Sequence, residues 1–140
     1  MYAALDLSNY IVSKCIKESH PISNLQLQKI LYYIQKEFLK NGSPAFGDYI
    51  EAWQFGPVVP AVYYHFCGFG AMPISNLYGE YSIKDCDAVI VDKIVREKRI
   101  LDPWVMVAET HKPNGAWDQT YQGGVGNHTV IPNELIRTAG

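Results

Sequence analysis

Apolar residues recur along much of this chain at three- and four-residue steps, the spacing that gathers them on one face of a helix. Leu7, Tyr10, Ile11 and Cys15 mark a first helix, with Asp6 as its capping residue and His20-Pro21 as its stop. Leu27, Ile30, Leu31, Ile34 and Phe38 line one face of a second, which predicts a long half-buried helix over Asn24 to Lys40. Its start reads as a capping box, in which the Ser23 hydroxyl and the Gln26 amide each satisfy an otherwise unpaired backbone N–H. Asn41-Gly42 supplies the left-handed residue that ends it.

The pattern then shifts. Tyr49 to Phe55 has the aromatic and β-branched content of a short strand, closed by Gly56-Pro57. Tyr78 to Ser82 is its expected partner, since a lone strand leaves its backbone groups unpaired. Between them Pro60, at a first helical position, opens a short helix carrying Val62, Tyr63, Phe66 and Cys67, which Gly68 and Gly70 end. Ile83 to Arg99 fits another helix with a heavily charged end, and Asp102-Pro103 caps and opens one that runs to Thr110. Lys112 to Gly115 is a turn, Trp117 to Tyr121 one helical turn, Gly123 to Asn127 a loop, and Ile131 to Arg137 a final short helix. No repeat, linker or low-complexity tract interrupts the order. Residues 1–140 therefore read as one compact domain, mainly α with a small antiparallel β-hairpin, an α+β arrangement.

Composition narrows the function. With 12 Lys and Arg against 14 Asp and Glu, the formal charge of −2 excludes a generally basic nucleic-acid binder. Cys15, Cys67 and Cys86 are odd in number, scattered and in no C-x-x-C spacing, which suits free thiols in a reducing cytoplasm. No run approaches the roughly 18 apolar residues of a membrane span, and Met1 to Asp6 lacks the basic start of a signal peptide, so a cytoplasmic protein without membrane contact is expected. Ten Tyr, five Phe and three Trp make 13% of the chain, and residues with an apolar body and a polar tip suit interfaces as well as cores.

Signatures of catalysis are weak throughout. His65 and Cys67 are the nearest approach to metal-ligand spacing, and two ligands do not close a zinc site. Gly123-Gly124-Val125-Gly126 lacks the Lys-Ser/Thr of a phosphate loop, and no nucleophile elbow or zinc-helix motif is present. A non-enzyme with no cofactor and no metal is expected. His111 is read as a hydrogen-bonded structural residue beside Trp117, and Lys93, Arg96, Lys98 and Arg99, interleaved with Asp92 and Glu97, as a solvated charged face rather than a DNA contact.

What remains is the corner from Glu51 to Tyr63. Gly56 allows a backbone conformation closed to other residues, and Pro57 and Pro60 fix φ, so the turn from strand to helix is rigid. Such a corner either packs the hairpin onto the helices or presents Trp53, Phe55, Tyr63 and Tyr64 to a partner at low entropic cost.

The run Ser23-Asn24-Leu25-Gln26-Leu27-Gln28-Lys29-Ile30-Leu31-Tyr32-Tyr33, followed by Ile50-Glu51-Ala52-Trp53-Gln54-Phe55-Gly56-Pro57-Val58-Val59-Pro60, resembles the Panacea antitoxin domain, also called the SocA-like or phage-associated GepA family. The similarity extends to Thr110-His111, Trp117 and Ile131 to Ile136, and so spans nearly the whole chain. Pro132, where a Ser-like helix cap is common, and the glycine-rich loop before it depart from the family pattern in local geometry.

The resemblance implies a bacterial or prophage antitoxin that binds and neutralises a toxin encoded beside it, with a protease or chaperone as a further partner. One described member is an adaptor that delivers its toxin to a ClpXP-type protease, and a DNA-binding autoregulator is the other alternative. Under this reading the candidate toxin interface is Trp53, Gln54, Phe55, Tyr63 and Tyr64 at the corner, with Tyr32 and Tyr33 on the long helix. Leu27, Leu31, Gly56, Pro57, Pro60, His111 and Trp117 are read as scaffold.

Overall fold

A computed structural model describes residues 1–76, 79 and 81–140. The helices are α1 (Ala4–Lys17), α2 (Asn24–Lys40), α3 (Pro60–Phe66), α4 (Asp85–Lys98), α5 (Pro103–Thr110), α6 (Ala116–Tyr121) and α7 (Asn133–Ala139). Three short strands, β1 (Glu51–Trp53), β2 (Gly56–Val58) and β3 (Thr129–Val130), form one antiparallel sheet in the order β2-β1-β3. The mainly helical α+β class read from the sequence is the class observed.

Helix α2 starts and ends where its pattern places it. The Gln26 amide N–H donates to Ser23 Oγ (3.2 Å), and the Ser23 amide N–H donates to Gln26 Oε1 (2.9 Å), completing the box. The helix is more enclosed than its apolar stripe implies: α1, α3, α4, α5, α7 and β2 surround it, and every residue from Leu27 to Tyr32 is buried. A helix wrapped on all sides must bury its polar positions too, and each of these needs a partner.

Other boundaries moved for identifiable reasons. Asp6 does not cap α1: the helix begins at Ala4, whose N–H donates to Asp48 Oδ1 (2.9 Å), so the cap comes from a distant loop. Asp6 lies in the first turn, where a negative charge suits the helix dipole. The strand expected over Tyr49 to Phe55 shortens to Glu51–Trp53 because Gln54 and Phe55 form a tight turn, and Gly56-Pro57 belongs to the returning strand. Pro57 lacks an N–H to donate, and it sits in the edge strand β2, where that lack is tolerated. The partner strand expected at Tyr78–Ser82 falls in part outside the described residues; its described members, Gly79, Tyr81 and Ser82, lie in no strand. The hairpin instead closes locally, with Trp53 opposite Gly56, and Thr129–Val130 pairs on the other side of β1. Helix α4 starts at Asp85 rather than Ile83, and α7 follows Pro132, which contributes no side-chain cap.

Candidate functional site

The buried polar residues of α2 hold the corner in place. Gln28 Oε1 accepts the Val59 N–H (2.9 Å), Gln28 Nε2 donates to Asn24 Oδ1 (2.9 Å), and Asn24 Nδ2 donates to the Tyr63 carbonyl (3.1 Å). Lys29 Nζ donates to the Pro57 carbonyl (3.0 Å). From the far side, the Trp117 indole N–H donates to the Trp53 carbonyl (2.8 Å). These bonds physically join the two blocks of sequence that carried the family resemblance.

Gly56 is required by space as well as by its φ of +111°. A Cβ there would stand 2.7 Å from Thr110 Oγ1 and 3.0 Å from Lys29 Cε and Nζ. Leu27 and Leu31, on the same helix as Lys29, are fully buried in the core. Pro57 is buried in β2, and Pro60 opens α3 at its first turn.

On the surface of this corner the aromatics meet. The Trp53 ring packs edge-on to Tyr63 (4.9 Å between centroids) and tilted against Tyr64 (5.9 Å), which themselves meet edge to face. His128, held in the left-handed region at φ +66°, stacks on the Trp53 indole at 4.4 Å. Across the turn Phe55 packs edge-on to Trp104 of α5 (5.2 Å). Trp53, Phe55, Tyr63, Trp104 and His128 line a groove of about 480 Å³ together with the buried Asn24, Gln28 and Lys29, while Tyr64 lies beside it against Trp53 and Tyr63. Tyr64 and Trp104 are each more than half exposed, at 60% and 57%, and Phe55 is 46% exposed. Gln54, at the exposed turn, also borders the groove.

Tyr32 and Tyr33 are not part of this surface. Tyr32 is 3% exposed and belongs to the core, where burial pushes its hydroxyl up to about 12. Tyr33 is half-buried on another face, with the Lys98 ammonium 4.1 Å above its ring. Its hydroxyl is raised first by burial and then by the Glu109 charge.

His111 stacks face to face on Trp117 (3.6 Å, 2°), beside which the sequence placed it. Its Nε2 is buried with no partner among the described residues. Desolvation and the nearby Lys29 charge lower its basicity, against a smaller opposing effect of Asp118, so the ring is neutral at pH 7. The basic stretch is dispersed: Lys93 pairs with Glu97, Lys98 with Glu109 and Arg99 with Glu18, leaving Arg96 exposed. No cluster of three His, Cys, Asp or Glu able to hold a metal occurs among the described residues, and no helix is long and apolar enough to cross a membrane.

Sequence reasoning missed Lys29, Trp104 and His128 as groove residues. Lys29 stands among Leu27, Ile30 and Leu31, and its only signal was a cation inside a strongly apolar run. It is 0% exposed, its one hydrogen bond among the described residues is to Pro57, and desolvation lowers its pKa to about 7. Nothing local in the sequence tied Trp104 or His128 to Phe55 and Trp53, because both contacts form only on folding.

The antitoxin SocA-like, Panacea-domain family matches residues 27–118. Antitoxin SocA of Caulobacter vibrioides (strain NA1000 / CB15N) is 34% identical over 130 residues, which cover 84% of this chain and 69% of that one. No solved structure matches.

Proposed function

The chain belongs to the antitoxin SocA-like, Panacea-domain family, and from that premise we propose that it neutralises a cognate toxin encoded beside it by direct protein–protein binding through the aromatic groove. The supporting observation is the preassembled cluster of Trp53, Tyr63, Tyr64, Phe55 and Trp104, fixed from behind by Gln28, Lys29 and Trp117. Rigid aromatics offer large contact area with little entropy left to lose, the usual character of residues that dominate protein interfaces. Family membership implies a regulatory rather than a catalytic role, and a toxin as the partner. Tight binding at the groove inhibits the toxin stoichiometrically in the cytoplasm and requires no reaction.

Co-expression of this chain with the protein encoded next to it tests the reading. Restored growth together with a co-purifying complex is the expected result. A neighbour that is harmless when expressed alone, or rescue with no complex, overturns direct neutralisation. Rescue that disappears in a protease-deficient host assigns the chain to toxin delivery instead.

A further inference from the structure

Lys29 is a buried cation without a counter-ion. It is 0% exposed, its ammonium is bonded to one neutral carbonyl, and no carboxylate of the described residues pairs with it. Burying a charge unpaired is expensive, and a hydrophobic residue of similar length would fill the same space without that penalty. The groove that Lys29 floors offers it no opposing charge: none of its lining residues is Asp or Glu, in a chain that carries 14 acidic residues. The lining instead offers exposed donors, namely the Trp104 indole and the side-chain amides of Gln54 and Asn127, beside the imidazole of His128. The carboxylate of Glu51, beside Trp53, accepts the Trp53 indole N–H (2.9 Å). His111, whose basicity the Lys29 charge lowers, is a neutral ring, and the carboxylate that acts on His111, Asp118, accepts the Asn114 amide N–H at Oδ2.

A groove with aromatic walls, outward donors and one uncompensated cation beneath it is complementary to an apolar ring that carries a negative charge. We propose that it takes an acidic, aromatic-anchored segment of the partner protein, whose carboxylate, seated over the groove floor, offsets the charge of the buried Lys29 from outside. This rests on the reading of the groove as the toxin-docking face, and adds the chemistry by which a toxin is recognised there. The two aromatic pairs hold the ring of the segment, and the charge sets its orientation and excludes basic segments.

The test uses N-acetyl-L-phenylalanine and its uncharged amide as probes, titrated into the isotope-labelled full chain at pH 6 while the indole N–H resonances of Trp53 and Trp104 are followed. The acid is expected to shift both resonances and to bind about tenfold more tightly than the amide, a ratio set by one charge interaction in a partly desolvated site. In Lys29→Met the two probes are expected to bind alike, while the variant melts no lower than the natural chain. That combination separates recognition from structure, because a merely structural lysine would lose stability when replaced and leave the probe ratio untouched. Equal binding of acid and amide by the natural chain overturns the proposal, and so does silence of both resonances up to the solubility limit of the probes. The comparison in the natural chain stands even if the variant does not fold. Equal probe binding alongside loss of toxin protection on Trp104→Ala would sink this recognition chemistry while leaving the docking face intact.

Discussion

Replacing Lys29 by methionine removes a fully buried ammonium that desolvation disfavours. Burial lowers its pKa from 10.5 to about 7, and at about 1.4 kcal/mol per unit this difference of roughly 3.5 units corresponds to about 5 kcal/mol against folding when the lysine is charged. Methionine keeps the length of the side chain and loses the bond to the Pro57 carbonyl, which costs about 1–3 kcal/mol. The net expectation at pH 6 is stabilisation by ~2 kcal/mol, read as a higher urea midpoint with an unchanged slope.

The pH profile gives an independent check. Between about pH 7 and pH 10 the unfolded chain keeps the Lys29 proton while the folded chain has released it, so the stability of the natural protein rises with pH. Below pH 7 both states hold the proton and the full penalty applies. The rise approaches about 1.4 kcal/mol per pH unit for one group and should be absent from the variant. The window ends near pH 10 because Tyr10, Tyr32 and Tyr33, all with raised pKa, then begin to act in the opposite sense. Denaturation series at pH 6, 8 and 9.5 measure both effects. A variant destabilised equally at all three values, beside a natural chain whose stability is flat, would refute the reasoning.

Gly56→Ala combines positive φ with a close approach to Thr110 and Lys29, and is expected to destabilise by ~2 kcal/mol or more in thermal denaturation, whereas Gly68→Ala, at an open position, changes little. Gln28→Leu leaves the Val59 N–H and Asn24 Oδ1 without their partner, with an expected loss of about 2 kcal/mol in the same assay. Ser23→Ala breaks the capping box of α2 and should cost about 1 kcal/mol by urea titration. Tyr64→Ala removes an exposed ring and should leave the melting temperature nearly unchanged while weakening toxin binding measured by calorimetry.

Local signals were legible wherever the residues that decide a feature lie close together in sequence. The capping box of Ser23 and Gln26, the Asp102 cap and Pro103 start of α5, and Pro60 at the first turn of α3 all act within four residues. The sheet was legible only in outline. Glu51–Trp53 carries a strand pattern, but its partners include Gly56-Pro57, which read as a strand stop, and Thr129–Val130, too short to show alternation. The cap of α1 came from Asp48, a contact that no local rule foresees.

The same division applies to the site. Trp53, Phe55, Tyr63 and Tyr64 are neighbours in sequence and meet in space, whereas Tyr32 and Tyr33 lie on other sides of a helix whose enclosure depends on the whole fold. A structural Trp53 is also visible only in three dimensions. Its carbonyl accepts from Trp117 and its ring rests on His128, so Trp53→Ala mixes loss of fold with loss of contact. Phe55 and Trp104, both exposed and packed on each other, are the cleaner reporters of the surface.

The affinity of the purified chain for its cognate toxin, compared with that of the Phe55→Ala/Trp104→Ala double variant by calorimetry, tests the account most directly. Loss of about 2 kcal/mol at each ring predicts a dissociation constant higher by on the order of 1000-fold, with a melting temperature close to that of the natural chain. Unchanged affinity in the folded double variant would contradict the assignment of the groove as the surface that neutralises the toxin.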